Sequence, residues 1–347
     1  MPAQSNGGSH PATRRAKRPT LRDVAALAGV SIATASKALN GRGAVHPDTR
    51  DRVLVAAEEV AFTPNRLARN LLSGRSGTIG LLTNDLIGRF SIPILMGAED
   101  ASGTGEMSVL LCDARGDAIR EAHQLKTLLS RRVDGLIVVG SDTDPRPSVG
   151  EKIPVPVVYA YAPSTSPEDC SLVPDNIGGG RQVTQHLLDI GRTRIAHITG
   201  PADFLAAADR AQGVAEALGA AGLPLVGDRP LYGAWTEAWG RTAADTILDR
   251  FPDTDAIVCG SDQVARGVLD ALHERDLDIP GDVAVTGFDN WDVFATGSRP
   301  RLTTVDMDLE LLGRLAAERL IRAIDQPLDA GITTLPCRVV VRESTAG

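Results

Sequence analysis

At 347 residues the chain is too long for one small domain and suits two or three, and with 43% hydrophobic residues it is not a largely disordered protein. No apolar run approaches the roughly 20 residues of a membrane helix, and residues 1–18, which end in the basic cluster RRAKR, lack the apolar centre of a signal peptide. They read as a disordered basic tail on a cytoplasmic protein. Residues 1–76 hold twelve Lys and Arg against five Asp and Glu, whereas the remainder holds 24 against 39. A basic head on an acidic body is what an anionic polymer selects when it is bound at one end only. Cys112, Cys170, Cys259 and Cys337 form no CxxC or Cys/His pattern, so nothing calls for a metal, a cofactor or a disulfide framework.

In TLRDVAALAGVSIATASKALN, residues 20–40, Leu21, Val24, Ala25 and Ala28 recur at three- and four-residue spacing. They predict a short helix that opens at Thr20 with Asp23 in its first turn. Gly29 stands where a tight turn wants freedom from Cβ constraints, and Ser31 can cap a second helix. In that helix Ala35, Ala38 and Leu39 face inward while Ile32, Ala33, Ser36, Lys37 and Asn40 face out. This is the grammar of a helix-turn-helix, whose second helix enters the DNA major groove; an ordinary helical hairpin also fits. After Gly41 and Gly43, Pro47 begins a third helix with Val53, Leu54, Ala57 and Val60 at helical spacing, Phe62 as a core plug and Pro64 as a stop. PNRLARNLLSGRSG, residues 64–77, reads as a further helix of about two turns whose Leu67, Leu71 and Leu72 need cover that it cannot supply itself.

From Thr78 apolar strands alternate with helical segments. TIGLLT, MSVLLC, GLIVVG and PVVYAY form one series; RIAHITG, DRPLYGA, DAIVCG and DVAVTGFD form a second. Runs apolar on both faces suit parallel sheets, and two βαβ series predict two doubly wound halves with a crevice at the carboxyl ends of their strands. LLGRLAAERLIRAI and CRVVVRE add a last helix and strand.

From Thr20 to Glu343 the chain resembles the LacI/GalR family of bacterial transcription regulators. The residues that carry the likeness are TLRDVAALAGVSIATASKALN, TPNRLARNLLSG, DNIGGGRQVTQHLLDIGRTRIAHITG, DRAQG, CGSDQVARGVLDAL, IPGDVAVTGFDN and RPRLTTVD. The resemblance implies an all-α helix-turn-helix head (residues 19–63) and a hinge helix (64–76). It then implies an α/β core like the type I periplasmic binding proteins (77–347). There a first subdomain takes about 77–175 and 305–330, a second about 176–304 and 331–343, and the chain crosses between them three times. It also implies a cytoplasmic, nucleoid-associated homodimer, most simply a repressor, on a palindromic operator of double-stranded DNA, controlled by a small-molecule effector. With no leucine heptad after Glu343, a dimer is expected rather than a tetramer.

Carried over residue by residue, Ile32, Ala33 and Lys37 read bases, and Thr20, Ser31, Thr34, Ser36 and Asn40 lie against the DNA backbone. Lys37 suits a guanine edge and Ile32 or Ala33 a thymine methyl, although Ile32 also fits the head core. Leu71 is the family's minor-groove wedge, lined by Asn65, Ala68 and Arg69. For the effector, Asp289 and Asp262 stand at strand ends and Arg210 matches the family arginine, which together suit a polyhydroxylated molecule. Trp235 offers a stacking face for a sugar ring, with Phe90, Tyr161 and Trp291 near the same mouth. Asp262 fits a helix cap equally well, Arg210 with Asp289 fits a structural ion pair, and Asp175 with Asn176 fits a cap or hinge. Alanine at 206 and 208 and Tyr161 depart from sugar-binding relatives, which leaves a nucleoside or other metabolite open beside a sugar.

Two rivals come from other classes. DNIGGGRQ superficially resembles a phosphate turn, but no GxGxxG, GKS/GKT, HExxH or GxSxG pattern supports an enzyme. A periplasmic solute-binding protein would match the body alone and is disfavoured by the basic head and the lack of a signal peptide.

Overall fold

The computed structural model describes residues 19–40, 45–62, 75–85, 87–101, 107–150 and 152–346. The chain divides into two compact units, Met1–Gly74 and Arg75–Gly347. The hinge segment with Asn65, Ala68, Arg69 and Leu71 lies outside the described residues, as does the tail.

In the head, α1 (Leu21–Leu27), α2 (Ile32–Asn40) and α3 (Pro47–Glu59) surround a small core of Val24, Ala25, Ala28, Ala35, Ala38, Val53, Ala56 and Ala57. The Thr20 amide and hydroxyl both donate to Asp23 Oδ2 at 2.7 Å, which closes the first turn of α1. Gly29 turns the chain at φ +65°, and Ser31 Oγ accepts from the Thr34 amide at 3.0 Å to start α2. Phe62 packs against this core as expected. Leu54 does not: it is 44% exposed, because the buried stripe of α3 runs 53, 56, 57, 60, and position 54 is rotated off it by one helical step.

The second unit holds two six-stranded sheets. The first is ordered β11-β5-β4-β3-β1-β2, with β1 Thr78–Thr83, β2 Ser108–Asp113, β3 Gly135–Val139, β4 Val157–Ala160, β5 Cys170–Pro174 and β11 Gly331–Leu335, all parallel. The second is ordered β12-β10-β9-β8-β6-β7, with β6 Ile195–Thr199, β7 Leu231–Tyr232, β8 Ala256–Cys259, β9 Ala284–Phe288, β10 Thr303–Asp306 and β12 Arg338–Val340; only β12 runs antiparallel. The central strands of each sheet are buried on both faces. Ile79 and Leu81 pack with Ile94 and Leu312 on one side, while Leu82 packs with Leu128 and Leu136 on the other.

The helices that matter below are α4 (Ser91–Asp100), α5 (Ala118–Ser130), α6 (Asn176–Asp189), α7 (Leu205–Ala220), α8 (Glu237–Arg250), α9 (Asp262–Glu274), α10 (Asp292–Ala295) and α11 (Leu309–Ala323). α11 packs on α4 and β3–β5, so it belongs to the first lobe.

The lobe boundaries differ from expectation at the chain end. β11 pairs with β5 in the first sheet, Gly331 opposite Cys170, whereas residues 331–343 were expected entirely in the second. β10, expected from 305 on in the first lobe, pairs with β9 in the second. The chain therefore crosses near 175, 307 and 336. DNIGGG is no phosphate turn: Asp175 Oδ1 accepts from Gly178 N at 2.7 Å to cap α6, and a Cβ on Gly180 would fall 2.4 Å from the Arg210 carbonyl, so the glycines let α6 and α7 approach closely.

Candidate functional site

A cavity of about 170 Å³ opens between the lobes, lined at the carboxyl ends of the strands of both sheets. Arg89 and Phe90 follow β1, Ser141, Asp142 and Thr143 follow β3, and Tyr161 follows β4. From the second lobe come Phe204, Ala206 and Arg210 around α7, Trp235 after β7, Ser261 after β8 and Asp289 after β9.

Arg210 is the most constrained of these. Its Nε donates to Asn176 Oδ1 at 2.9 Å, one terminal nitrogen donates to the Gly260 carbonyl at 2.5 Å, and the other lies 3.8 Å from Met307 Sδ. Its guanidinium stacks 3.7 Å from the Phe288 ring centre and stands 3.4 Å from Asp289 Oδ1. Asn176 thus positions the arginine rather than serving only as a cap. Asp289 is held in a left-handed conformation at φ +107°, an uncommon geometry for a residue with a side chain that points to a functional constraint. Its other oxygen meets Arg89 from the first lobe. The Arg210–Asp289 pair is therefore structural and lines the cavity as well.

Aromatic faces complete the walls. Phe90 and Tyr161 stack with centroids 4.3 Å apart, and Trp235 meets Phe204 edge-on at 6.3 Å. Trp235 is seated against Gly200, where a Cβ would come within 2.1 Å of the indole. Thr143 carries a buried hydroxyl without a hydrogen-bond partner among the described residues, a polar group a ligand can satisfy. Desolvation raises Tyr161 to about 12, so its phenol stays neutral, and lowers Arg210 to about 10, with the like charge of Arg89 adding to the effect. Burial also lowers Arg89.

Of the expected effector residues, Arg210, Asp289, Trp235, Phe90 and Tyr161 converge on the cavity, and two do not. Asp262 is fully buried behind it, its oxygens accepting from Thr304 Oγ1 at 2.5 Å and from the Trp291 amide at 2.7 Å. Nor does it cap α9, since Ser261 Oγ receives the Val264 amide at 3.2 Å. Desolvation raises Asp262 to about 7, against the pull of those two donors. Trp291 is absent from the lining and packs edge-on with Phe294 at 5.0 Å, its ring under the Arg89 guanidinium. The residues missed, Arg89, Ser141, Asp142, Thr143, Phe204 and Ser261, all lie in turns just past strand ends, where the carboxyl-end rule would have found them.

On the head, α2 presents Ile32 (46% exposed), Ala33 and Lys37 to solvent, while Ser36 and Thr34 are half-buried. Ile32 is thus not part of the core. The hydroxyls of Ser31 and Thr34 face each other at 2.8 Å.

The sequence pattern of bacterial regulatory proteins, lacI family, matches residues 20–65, and that of the periplasmic binding protein-like domain matches 184–345. The HTH-type transcriptional regulator CelR of Thermobifida fusca is 37% identical over 335 residues, 94% of this chain and 96% of its own. The chain belongs to the lacI family of bacterial regulatory proteins. Among solved structures, a transcriptional regulator CelR–cellobiose complex is 34% identical with a TM-score of 0.64, covering 94% of this regulator and 100% of that chain. A lac repressor dimer bound to operator and the anti-inducer ONPF is 26% identical with a TM-score of 0.69, covering 95% and 100%. This lacI-family regulator is thus a DNA-binding transcriptional regulator built from a helix-turn-helix head and a periplasmic-binding-protein-like core, and among its described residues no helix is long and apolar enough to cross a membrane.

Proposed function

We propose that this regulator is a cytoplasmic repressor that binds a palindromic operator as a homodimer and is controlled by a neutral sugar held between its lobes. The observation that carries the reading is the lining of the cavity: two guanidiniums, Arg89 and Arg210, face two carboxylates, Asp142 and Asp289, beside the Trp235 face. Those charges balance, so a neutral polyol enters without leaving an unmatched buried charge, and its hydroxyls can both donate to carboxylate and accept from the Arg210 guanidinium. The relatives support it, since one solved regulator holds cellobiose and another sits on its operator as a dimer. On the head, Lys37 offers donors to a guanine edge and Ile32 or Ala33 packs on a thymine methyl, with Thr20, Ser31, Thr34, Ser36 and Asn40 near phosphates.

The test is a gel shift of the purified protein on its own upstream DNA, with and without a panel of sugars and nucleosides. A retained band on that DNA that one sugar shifts supports the proposal. Equal binding to operator and scrambled duplex at near-physiological salt refutes it, and a response to nucleosides alone reassigns the effector.

A further inference from the structure

We infer that Arg89 sets the affinity and selectivity of the effector cavity by spanning the cleft to the Asp289 carboxylate, the place an effector's hydroxyl groups must take. The inference rests on the reading of this cavity as a sugar site and names its gatekeeper.

The two arginines on Asp289 are not equivalent. Arg210 is anchored within its own lobe by Asn176, the Gly260 carbonyl, Met307 and the Phe288 ring, so it cannot leave without abandoning several partners. Arg89 comes from the first lobe, on the turn between β1 and α4, and its Nε is buried without a hydrogen-bond partner among the described residues. It is held by the carboxylate and by two ring faces, Phe90 at 4.9 Å and Trp291 at 4.8 Å, the latter from the second lobe. Arg89 is therefore the movable partner. Asp289 itself accepts no hydrogen bond of good geometry among the described residues, although its side chain is only 3% exposed. A ligand that brings O–H donors gains hydrogen bonds which the ion pair does not supply, whereas one that brings only acceptors cannot replace a guanidinium and leaves a buried carboxylate unmatched.

A second contact ties the lobes at the same place. Asp144 Oδ1, after β3, accepts from the Leu205 amide at 2.7 Å and so caps α7, a helix of the opposite lobe whose own N-cap, Phe204, offers no side-chain acceptor. If Arg89 holds the cleft, releasing it loosens this cap as well. Effector binding then becomes an exchange: apparent affinity is reduced by the fraction of molecules in which Arg89 sits on Asp289, and only ligands with well-placed hydroxyl pairs win the exchange.

The experiment uses full-length Arg89→Met and Arg89→Lys beside wild type, each shown to melt cooperatively. Amide exchange in the segment 203–207 is followed without sugar, and D-ribose, D-glucose and cellobiose are titrated calorimetrically. Arg89→Met should raise exchange in that segment about tenfold, bind the sugar that wild type binds about tenfold more tightly, and discriminate less among the three, as expected when a competing state is removed. Arg89→Lys, which keeps the charge and loses the planar fork, should fall between. Unchanged exchange in both variants overturns the inference, whatever the sugars do. Weaker sugar binding by Arg89→Met also overturns it, since Arg89 would then hold the effector rather than compete with it. Raised exchange with no heat from any sugar in any of the proteins keeps Arg89 as the hold across the cleft and overturns the sugar reading instead.

Discussion

Asp262 is buried behind the effector cavity with only two neutral donors on its oxygens, the Thr304 hydroxyl and the Trp291 amide, and desolvation raises it from 3.8 to about 7. Because the folded protein binds that proton more tightly than the unfolded chain, stability is greatest below the unfolded value and falls as pH rises towards 7. A shift of about three units corresponds to about 4 kcal/mol, of which about 3 kcal/mol falls between pH 5 and pH 8. Asp262→Asn removes the titration and keeps both contacts, since an amide can accept from Trp291 and donate to Thr304 Oγ1. Urea unfolding of the two proteins across pH 5–8, at one fixed protein concentration, should show the variant gaining on wild type by about 3 kcal/mol as pH rises. The burial of the amide itself is independent of pH and drops out of the slope, as do the other titrating groups. A stability difference that stays flat from pH 5 to pH 8 would refute the reasoning.

Gly200→Ala places a methyl within about 2.1 Å of the Trp235 indole and should push the ring from the cavity wall. Sugar affinity by calorimetry is then expected to fall roughly tenfold, with operator affinity unchanged in the absence of sugar. Lys37→Ala should cost about 1–3 kcal/mol of operator binding by fluorescence anisotropy and relax preference at one base position; a uniform loss across all sequences would make Lys37 a phosphate contact instead. Leu71→Ala, in the hinge segment, should weaken operator binding by a few kcal/mol if the side chain unstacks a base step, and equal affinity of variant and wild type through a salt titration would remove the wedge.

Elements whose burial is purely apolar were legible in the sequence. TIGLLT and DAIVCG form β1 and β8 almost to the residue, and the alternation of α2 correctly divides Ala35 and Ala38 from Ile32 and Lys37. Three strands escaped notice because their buried positions are polar or their exposure alternates. β10 reads TTVD, and its Thr303 and Thr304 are tolerated inside because Arg342 and Thr345 bond the first and Asp262 the second. β5 carries Ser171, which is satisfied by the Ser164 amide, and β11 is an edge strand whose Ile332 is 60% exposed. Conversely DRPLYGA shrinks to the two residues of β7, since Gly227 and Asp228 adopt positive φ just before it. In the cavity, Arg210 is named by resemblance, Asp289 by its place at a strand end and Trp235 by its stacking face. The carboxyl-end rule marks the turn that carries Arg89, but not its ion pair with a residue of the opposite lobe, which no local pattern encodes.

The last two strands follow one another closely in the chain yet serve different halves of the core: β11 edges the sheet of the first lobe and β12 that of the second, with Ser344 then donating to the Val285 carbonyl. During synthesis on the ribosome, neither sheet can be finished until nearly all of the core has been translated. A frameshift near residue 330 would therefore strip an edge strand from both lobes at once and leave β5 and β10 uncovered and prone to pairing with other chains, instead of one intact lobe beside a damaged one.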